Sequence, residues 1–441
     1  MYLYQDLCHR KNSNNPVNIG LIGSGKFGAM FLSQVPTTIG IRVVAVADLN
    51  PSKAKLTCNT IGWDDVLIDE TVFLDDAMLM IEKYNLDVVV EATGDPKAGI
   101  LHALKAIENG IHVIMVNVEA DVLAGPVLAE EAKSAGVVYS MAYGDQPALI
   151  CELVEWARSI GFNVISAGKG TKYLPEYHQS NPSTVWSHYG LTEDKARDAG
   201  MNSKMFNSFL DGTKSALEMA AVSNATGLNA PYKGLQFPPA GMGDLAHILR
   251  PYDDGGILEG KGQVEVVSSL ERDGRPVFND LRWGVYVVIE APNDYTAACF
   301  KQYGMNTDNS GRYSAMYKPF HLIGLELNIS ILSAALLKKA TGVTQSFNSD
   351  VIAVSKTDLK AGQLLDGEGG FCVWGKLCPS KKSVIGGYLP IGLAANVRLK
   401  RDIVANTPLK WNDVDIERTS KDVVLRLRME ERWVQESQNF T

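Results

Sequence analysis

Residues 168–178 read Gly-Lys-Gly-Thr-Lys-Tyr-Leu-Pro-Glu-Tyr-His, the densest run of reactive side chains in the sequence. Lys169 and Lys172 suit an anionic group or a developing alkoxide, and Tyr173 or His178 suits proton donation. A solvated basic loop with packed aromatics is the plainer alternative. A second cluster, residues 238–251, carries Asp244 and Arg250. Arg250 suits bidentate binding of phosphate or carboxylate. Asp244 suits a metal or the orientation of a base, and equally the cap of a short apolar helix. Lys318 and His321 lie in Tyr-Lys-Pro-Phe-His, with His321 either an acid–base group or a packed residue. Lys214 and Glu218 are four apart, which makes a surface ion pair or, on an inward face, a reactive pair.

Residues 17–28 supply the scaffold that such groups need. An apolar run is followed by Gly23, Gly25 and Gly28 in the spacing G-x-G-x-x-G, with Lys26 and Phe27 inside it. Gly23 makes the turn, Gly25 lets a pyrophosphate approach, and Gly28 lets the next helix pack on the sheet. The pattern predicts a helix over 27–35 and a strand over 41–47. That strand ends in Asp48, where the fingerprint places an acid on the ribose hydroxyls. Asp48 favours NAD; Asn50 and Lys53 just beyond it suit the 2′-phosphate of NADP. Further strands are expected at 87–92, 111–116 and 137–142, with helices at 75–84, 98–109 and 122–135 between them. The fold class is α/β, a Rossmann-type doubly wound parallel sheet. Ligands bind such sheets beyond the strand C-ends, which adds Thr93, Gly94, Asn117 and Glu119 to the coenzyme site.

The texture changes near residue 160. Runs at 264–270 and 284–291 read as alternating antiparallel strands, 207–221 as a helix and 322–339 as a long apolar helix. From residue 349 come short strands and two similar phrases, residues 355–365 and 399–409. The expected division is a dinucleotide-binding domain at 12–158, an α+β catalytic and dimerisation domain at 159–345, and a small β-rich domain at 346–441. A length of 441 residues fits several domains. The net charge of -8 argues against a nucleic-acid or anionic-membrane partner. Six cysteines without a C-x-x-C pair suit a reducing, cytoplasmic setting. No secretory leader and no bilayer span are expected.

Thr93-Gly94, the run His-Val-Ile-Met-Val-Asn-Val-Glu-Ala-Asp-Val-Leu at 112–123 and Tyr-Gly-Asp-Gln-Pro at 143–147 join the glycine turn. Together they resemble the homoserine-dehydrogenase-like NAD(P) oxidoreductases. The two C-terminal phrases resemble the SAF (β-clip) domain. In this order the two are similar to the group of deoxyxylulose-phosphate reductoisomerase-like enzymes, DRL. That resemblance implies NADPH-dependent conversion of 1-deoxy-D-xylulose 5-phosphate to 2-C-methyl-D-erythritol 4-phosphate in isoprenoid synthesis, and a homodimer. Lys169, Lys172 and Arg250 would then converge on a phosphorylated substrate over the coenzyme. Homoserine dehydrogenases carry Asn-Lys after the fourth strand; here Val118 and Glu119 follow Asn117, which weighs against homoserine chemistry. Isomerisation with reduction usually asks for a divalent metal. Asp145, Glu176, Asp211, Asp244 and Glu326 are candidate ligands, and no spacing selects among them. A plain NAD(P) dehydrogenase of a polyol, keto-sugar phosphate or semialdehyde, and a non-catalytic dinucleotide sensor, are the competing readings.

Overall fold

The computed structural model describes residues 3–439, which fall into two compact units. The first comprises the chain up to Cys151 with His321–Gln345 and Val424–Arg432. Its sheet holds β1 (Val17–Ile22), β2 (Ile41–Ala47), β3 (Val72–Leu74), β4 (Val88–Glu91), β5 (His112–Met115) and β6 (Tyr139–Met141). All pairs are parallel and the order is β3-β2-β1-β4-β5-β6. Helices cover the sheet between strands, and their starts are capped as the sequence dictates. Asn50, Asp95 and Asn117 each accept a backbone N–H of the first turn at Pro51–Thr60, Pro96–Glu108 and Val118–Ser134. The strand interiors are β-branched and fully buried, as in Val88, Val89 and Val90. The strand order reverses between β1 and β4, so their C-ends open the crevice where such sheets take ligands.

Residues 322–339 do not form one long helix. A short helix, Asn328–Leu332, runs into a π turn, Ser333–Leu337, which Lys338 ends at φ +56°. Leu327, Ile331, Leu332 and Ala334 are buried with Val17, Ile19 and Leu21, so the segment completes the core of the first sheet.

The second unit comprises Glu152–Phe320 and Ser346–Val423, with the tail from Trp433. Its larger sheet has the order β10-β9-β7-β8, built from β7 (Asn163–Thr171), β8 (Gln263–Ser268), β9 (Val285–Glu290) and β10 (Tyr313–Lys318). Two expectations are corrected here. β7 and β8 are parallel, and β8 and β9 are buried along their whole length rather than alternating. Residues 168–171 belong to β7 instead of a loop. The glycines at 168 and 170 serve close approach of neighbouring backbone, not a turn. A Cβ on Gly168 would lie 1.8 Å from the Glu265 carbonyl oxygen, and one on Gly170 would lie 2.0 Å from that of Leu281. A 3₁₀ turn (Pro175–Gln179) and a short helix (Val185–Tyr189) follow.

The expected 207–221 helix is two helices, Ser203–Leu210 and Thr213–Thr226, broken at Gly212 with φ +88°. Thr213–Thr226 is buried nearly all round and packs on β7, β8, β11 (Ser349–Ser355) and β13 (Val373–Pro379). β11 and β13 form an antiparallel pair, and β12 (Leu364–Asp366), β14 (Ala395–Leu399) and β15 (Val414–Asp415) form a second small sheet. The two similar phrases pair with each other. Leu359 and Ile403 exchange both backbone hydrogen bonds, at 2.8 and 2.9 Å. Asp358 accepts the Ala405 amide at 2.8 Å, and Asp402 accepts the Ala361 amide at 2.9 Å. The similarity of the phrases is therefore a local two-fold arrangement.

Candidate active site

The candidate coenzyme site lies in the first unit, at the C-ends of β1, β2, β4 and β5. Gly23 adopts φ +92°, and a Cβ there would meet the Ala92 carbonyl oxygen at 2.7 Å. A Cβ on Gly28 would meet the Gly23 carbonyl oxygen at 2.3 Å. Gly25 differs: a Cβ there would meet no protein atom within 4 Å. The first and third glycines are thus required by the fold, while the second keeps space free of protein, the room a pyrophosphate needs. Lys26 is exposed and Phe27 half-buried at the start of Lys26–Leu32, where Gly25 is the cap. Asp48 closes the other side of the turn. One carboxylate oxygen accepts the Ser24 amide at 2.8 Å and the Ser24 hydroxyl at 2.6 Å; the other accepts the Asn50 amide at 2.9 Å. Burial opposes its charge, but these bonds and the Lys53 ammonium outweigh it and hold the carboxyl below its ordinary value.

Thr93 and Gly94 are exposed at the end of β4. Thr93 donates at 2.6 Å to Glu91, a buried carboxylate that also meets His102 Nδ1 at 3.2 Å. Asn117 is buried and structural: it caps Val118–Ser134 and donates to the Asp95 carbonyl at 2.8 Å. Glu119 is buried one residue into the helix proper. These contacts of Asn117 tie the start of the helix after β5 to the segment after β4. Asp48→Ala removes a like charge from the place of a 2′-phosphate. The variant is expected to shift the ratio of NADP(H) to NAD(H) affinity about tenfold towards NADP(H), on the order of 1.4 kcal/mol. Equal ratios for wild type and variant, measured by calorimetric titration, would contradict this role.

In the second unit a separate candidate cluster centres on Tyr173 and His178. Tyr173 Oη lies 3.0 Å from His178 Nε2. His178 Nδ1 lies 2.7 Å from the Asp211 carbonyl oxygen, which can only accept, so Nδ1 carries the proton and Nε2 accepts from Tyr173. Stacking fixes both rings. Tyr173 lies 4.0 Å from Phe237, and His178 lies 3.9 Å from Trp374 on β13. Burial lowers His178 to about 4, helped by the Lys376 and Lys356 charges and opposed by the Asp211 carbonyl. Burial likewise raises Tyr173 to about 12. At neutral pH the imidazole is neutral and the phenol keeps its proton.

Lys356 anchors this arrangement. It is buried, and its ammonium donates to Asp211 Oδ2 at 2.7 Å and to the carbonyls of Ser180 and Gly370 at 2.7 and 2.8 Å. The sequence held one signal for it: a buried run, residues 349–355, ending directly in a lysine, whose charge needs a partner inside. Nothing local marked Asp211 as that partner, 145 residues away.

The structure does not gather the predicted cations. Lys169 is buried on β7 and pairs with Glu218 of Thr213–Thr226, which replaces both the solvated-loop reading and the Lys214–Glu218 surface pair. Lys214 itself is half-buried at the second position of that helix. Lys172 donates to the His188 carbonyl. Arg250 donates to Asp308 at 2.7 Å. Cross-strand register places Gly168 beside Tyr286 and Lys169 beside Val285, so Lys169 leaves the sheet on the face opposite Tyr286. Arg250 follows a helix whose Leu245, Ala246 and Leu249 pack on Tyr286 and Val288. Lys169 and Arg250 therefore serve opposite faces. Asp244 is exposed, takes the cap position of Leu245–Ile248 and accepts the Gly241 amide at 3.0 Å, not an amide of that helix. Lys318, at the end of β10, lies 5.5 Å from the Phe320 ring, and His321 belongs to the first unit.

Lys169→Ala leaves the Glu218 carboxylate buried and unpaired. It is expected to cost about 3–5 kcal/mol of stability, read by denaturant unfolding. Lys169→Met with Glu218→Leu is expected to recover most of that loss, and a cost below about 1 kcal/mol for the single variant would contradict the pairing. No three of His, Cys, Asp and Glu come together as a metal-ligand set among the described residues. Of the candidate ligands, Asp211 is taken by Lys356 and Asp244 accepts a backbone amide.

A parallel sheet with this order, an open glycine turn and an acid at the end of β2 are the features of a dinucleotide-binding domain. Residues 19–141 match the family model described as "Homoserine dehydrogenase, NAD binding domain", and residues 144–327 match "Oxidoreductase DRL, catalytic domain". Over these two stretches the chain is similar to domains of NAD(P)-dependent oxidoreductases. A homoserine dehydrogenase of Neisseria gonorrhoeae is 32% identical over 111 residues, which is 23% of this chain and 23% of that protein. Among solved structures, a probable dehydrogenase from Thermotoga maritima is 13% identical with a TM-score of 0.35, over 72% of this chain and 85% of that one. An inositol dehydrogenase homologue from Azotobacter vinelandii, complexed with NAD+, is 18% identical with a TM-score of 0.28, over 39% of this chain and 46% of that one.

Proposed function

We propose that the protein is an NADPH-dependent oxidoreductase of the DRL kind, converting 1-deoxy-D-xylulose 5-phosphate to 2-C-methyl-D-erythritol 4-phosphate in isoprenoid synthesis. The observation that carries the reading is the match of residues 144–327 to the DRL catalytic domain, the stretch that contains Tyr173 and His178. The nicotinamide, when bound, supplies the hydride. The chain supplies the proton: Tyr173, its phenol held neutral by burial, gives it to the alkoxide oxygen as that oxygen develops charge. His178, fixed by Asp211 and Trp374, holds the phenol in place and accepts its hydrogen bond when substrate is absent. Residues 346–441, read as SAF-like, contribute Lys356 and Trp374 to this arrangement. The same reading takes the protein as a cytoplasmic homodimer.

Purified protein with deoxyxylulose phosphate is expected to oxidise NADPH and to yield methylerythritol phosphate by mass spectrometry. Light scattering is expected to give twice the chain mass. Cofactor oxidation with other keto-sugar phosphates, and none with deoxyxylulose phosphate, would move the assignment to a plain dehydrogenase. Coenzyme binding without turnover of any of these would leave a sensor.

A further inference from the structure

Lys169, Lys172, Arg250 and Lys356 all spend their charge inside the second unit. Lys376 does not. It is half-buried on β13, paired through its backbone with Ile352, and its ammonium makes no hydrogen bond or ion pair among the described residues. It lies two residues from Trp374, so both side chains leave β13 on one face. Trp374 carries the stacked His178, and Trp374 Nε1 is a buried donor without a partner. On the other side the Lys376 stem lies against Gly234, where a Cβ would come within 2.9 Å of Lys376 Cε. Gly234 heads the stretch that carries Phe237, the ring stacked on Tyr173. The Lys382 ammonium is near, donating to the Tyr232 carbonyl at 2.9 Å. Asp211 is engaged by Lys356, Glu265 by the amides of Gln236 and Phe237, and Glu259 by the amide of Tyr232.

We propose that Lys376, between Trp374 with its stacked His178 and Gly234, is the cation of an oxyanion subsite that takes the phosphate end of a small substrate. The proposal rests on the reading of Tyr173 and His178 as the chemical centre, and it names what holds the other end of the substrate. A half-buried ammonium without a counter-ion is costly to keep charged, and burial together with Lys382 pulls Lys376 below the ordinary lysine value. A phosphate dianion would supply the missing charge, with the idle indole N–H as a second donor. Glycine at 234 leaves the lysine stem room that a side chain would fill.

The probe is inorganic phosphate, titrated calorimetrically into the full chain without coenzyme, so neither turnover nor the identity of the substrate enters. Wild type is expected to bind phosphate, Lys376→Met to weaken it at least tenfold, and Lys376→Arg to restore most of it. Lys381→Met, an exposed neighbour, is expected to bind as wild type does, and all variants are expected to melt with wild type. Unchanged affinity in a folded Lys376→Met protein would overturn the subsite. So would phosphate binding that is lost in Gly25→Val and kept in Lys376→Met, which would place the anion at the glycine turn. Loss of phosphate binding in Lys376→Met, with no turnover of deoxyxylulose phosphate by wild type, would leave the subsite standing and remove only the proposed reaction.

Discussion

Gly25→Val is expected to weaken coenzyme binding at least about 100-fold, some 2.7 kcal/mol, while the protein melts within a few degrees of wild type. The backbone at Gly25, φ -62° and ψ -161°, is open to residues with side chains. A Cβ there meets no protein atom within 4 Å, so the isopropyl group falls only where the pyrophosphate must go. Gly28→Ala is the contrasting case. Its Cβ would sit 2.3 Å from the Gly23 carbonyl oxygen, so the turn itself must move and stability is lost along with binding. Fluorescence titration with NADPH, beside a thermal melt, separates the two. Wild-type affinity in Gly25→Val would remove the glycine turn from the coenzyme site.

Tyr173→Phe is the second large effect. The ring keeps its stack on Phe237 and loses only the hydroxyl bound to His178. Turnover is expected to fall about 10²- to 10⁴-fold with coenzyme affinity unchanged. The pH dependence follows from the raised phenol value. A group raised to about 12 is still protonated where an ordinary tyrosine has begun to ionise near 10. The wild-type rate is therefore expected to show no alkaline fall from this residue near pH 10. Turnover in Tyr173→Phe within threefold of wild type would assign the proton to another group.

The first sheet was legible because its signals are local. Valine runs, helix caps at Asn50, Asp95 and Asn117, and the glycine spacing each act within a few residues of themselves. The second unit was read less well because its decisive contacts are long-range. Gly168 and Gly170 look like loop residues until the strands that press on them are known. Lys169 finds Glu218 across 49 residues, although Lys214 is nearer to Glu218 in sequence. The aromatic segment around Tyr173 and His178 stood out by composition alone, but Trp374 and Lys356, which hold its rings and Asp211, come from β13 and the end of β11, far along the chain. The kinship of the two C-terminal phrases was visible, and their pairing through Asp358 and Asp402 was not.

In the proposed reaction a hydride passes from a bound nicotinamide to a small keto substrate. The direct test is to incubate the protein with deoxyxylulose phosphate and NADPH deuterated at the transferred position, and to locate the label by mass spectrometry. One deuterium in each methylerythritol phosphate formed is the predicted result. Deuterium in no product, with the coenzyme left reduced, would overturn the proposed reaction.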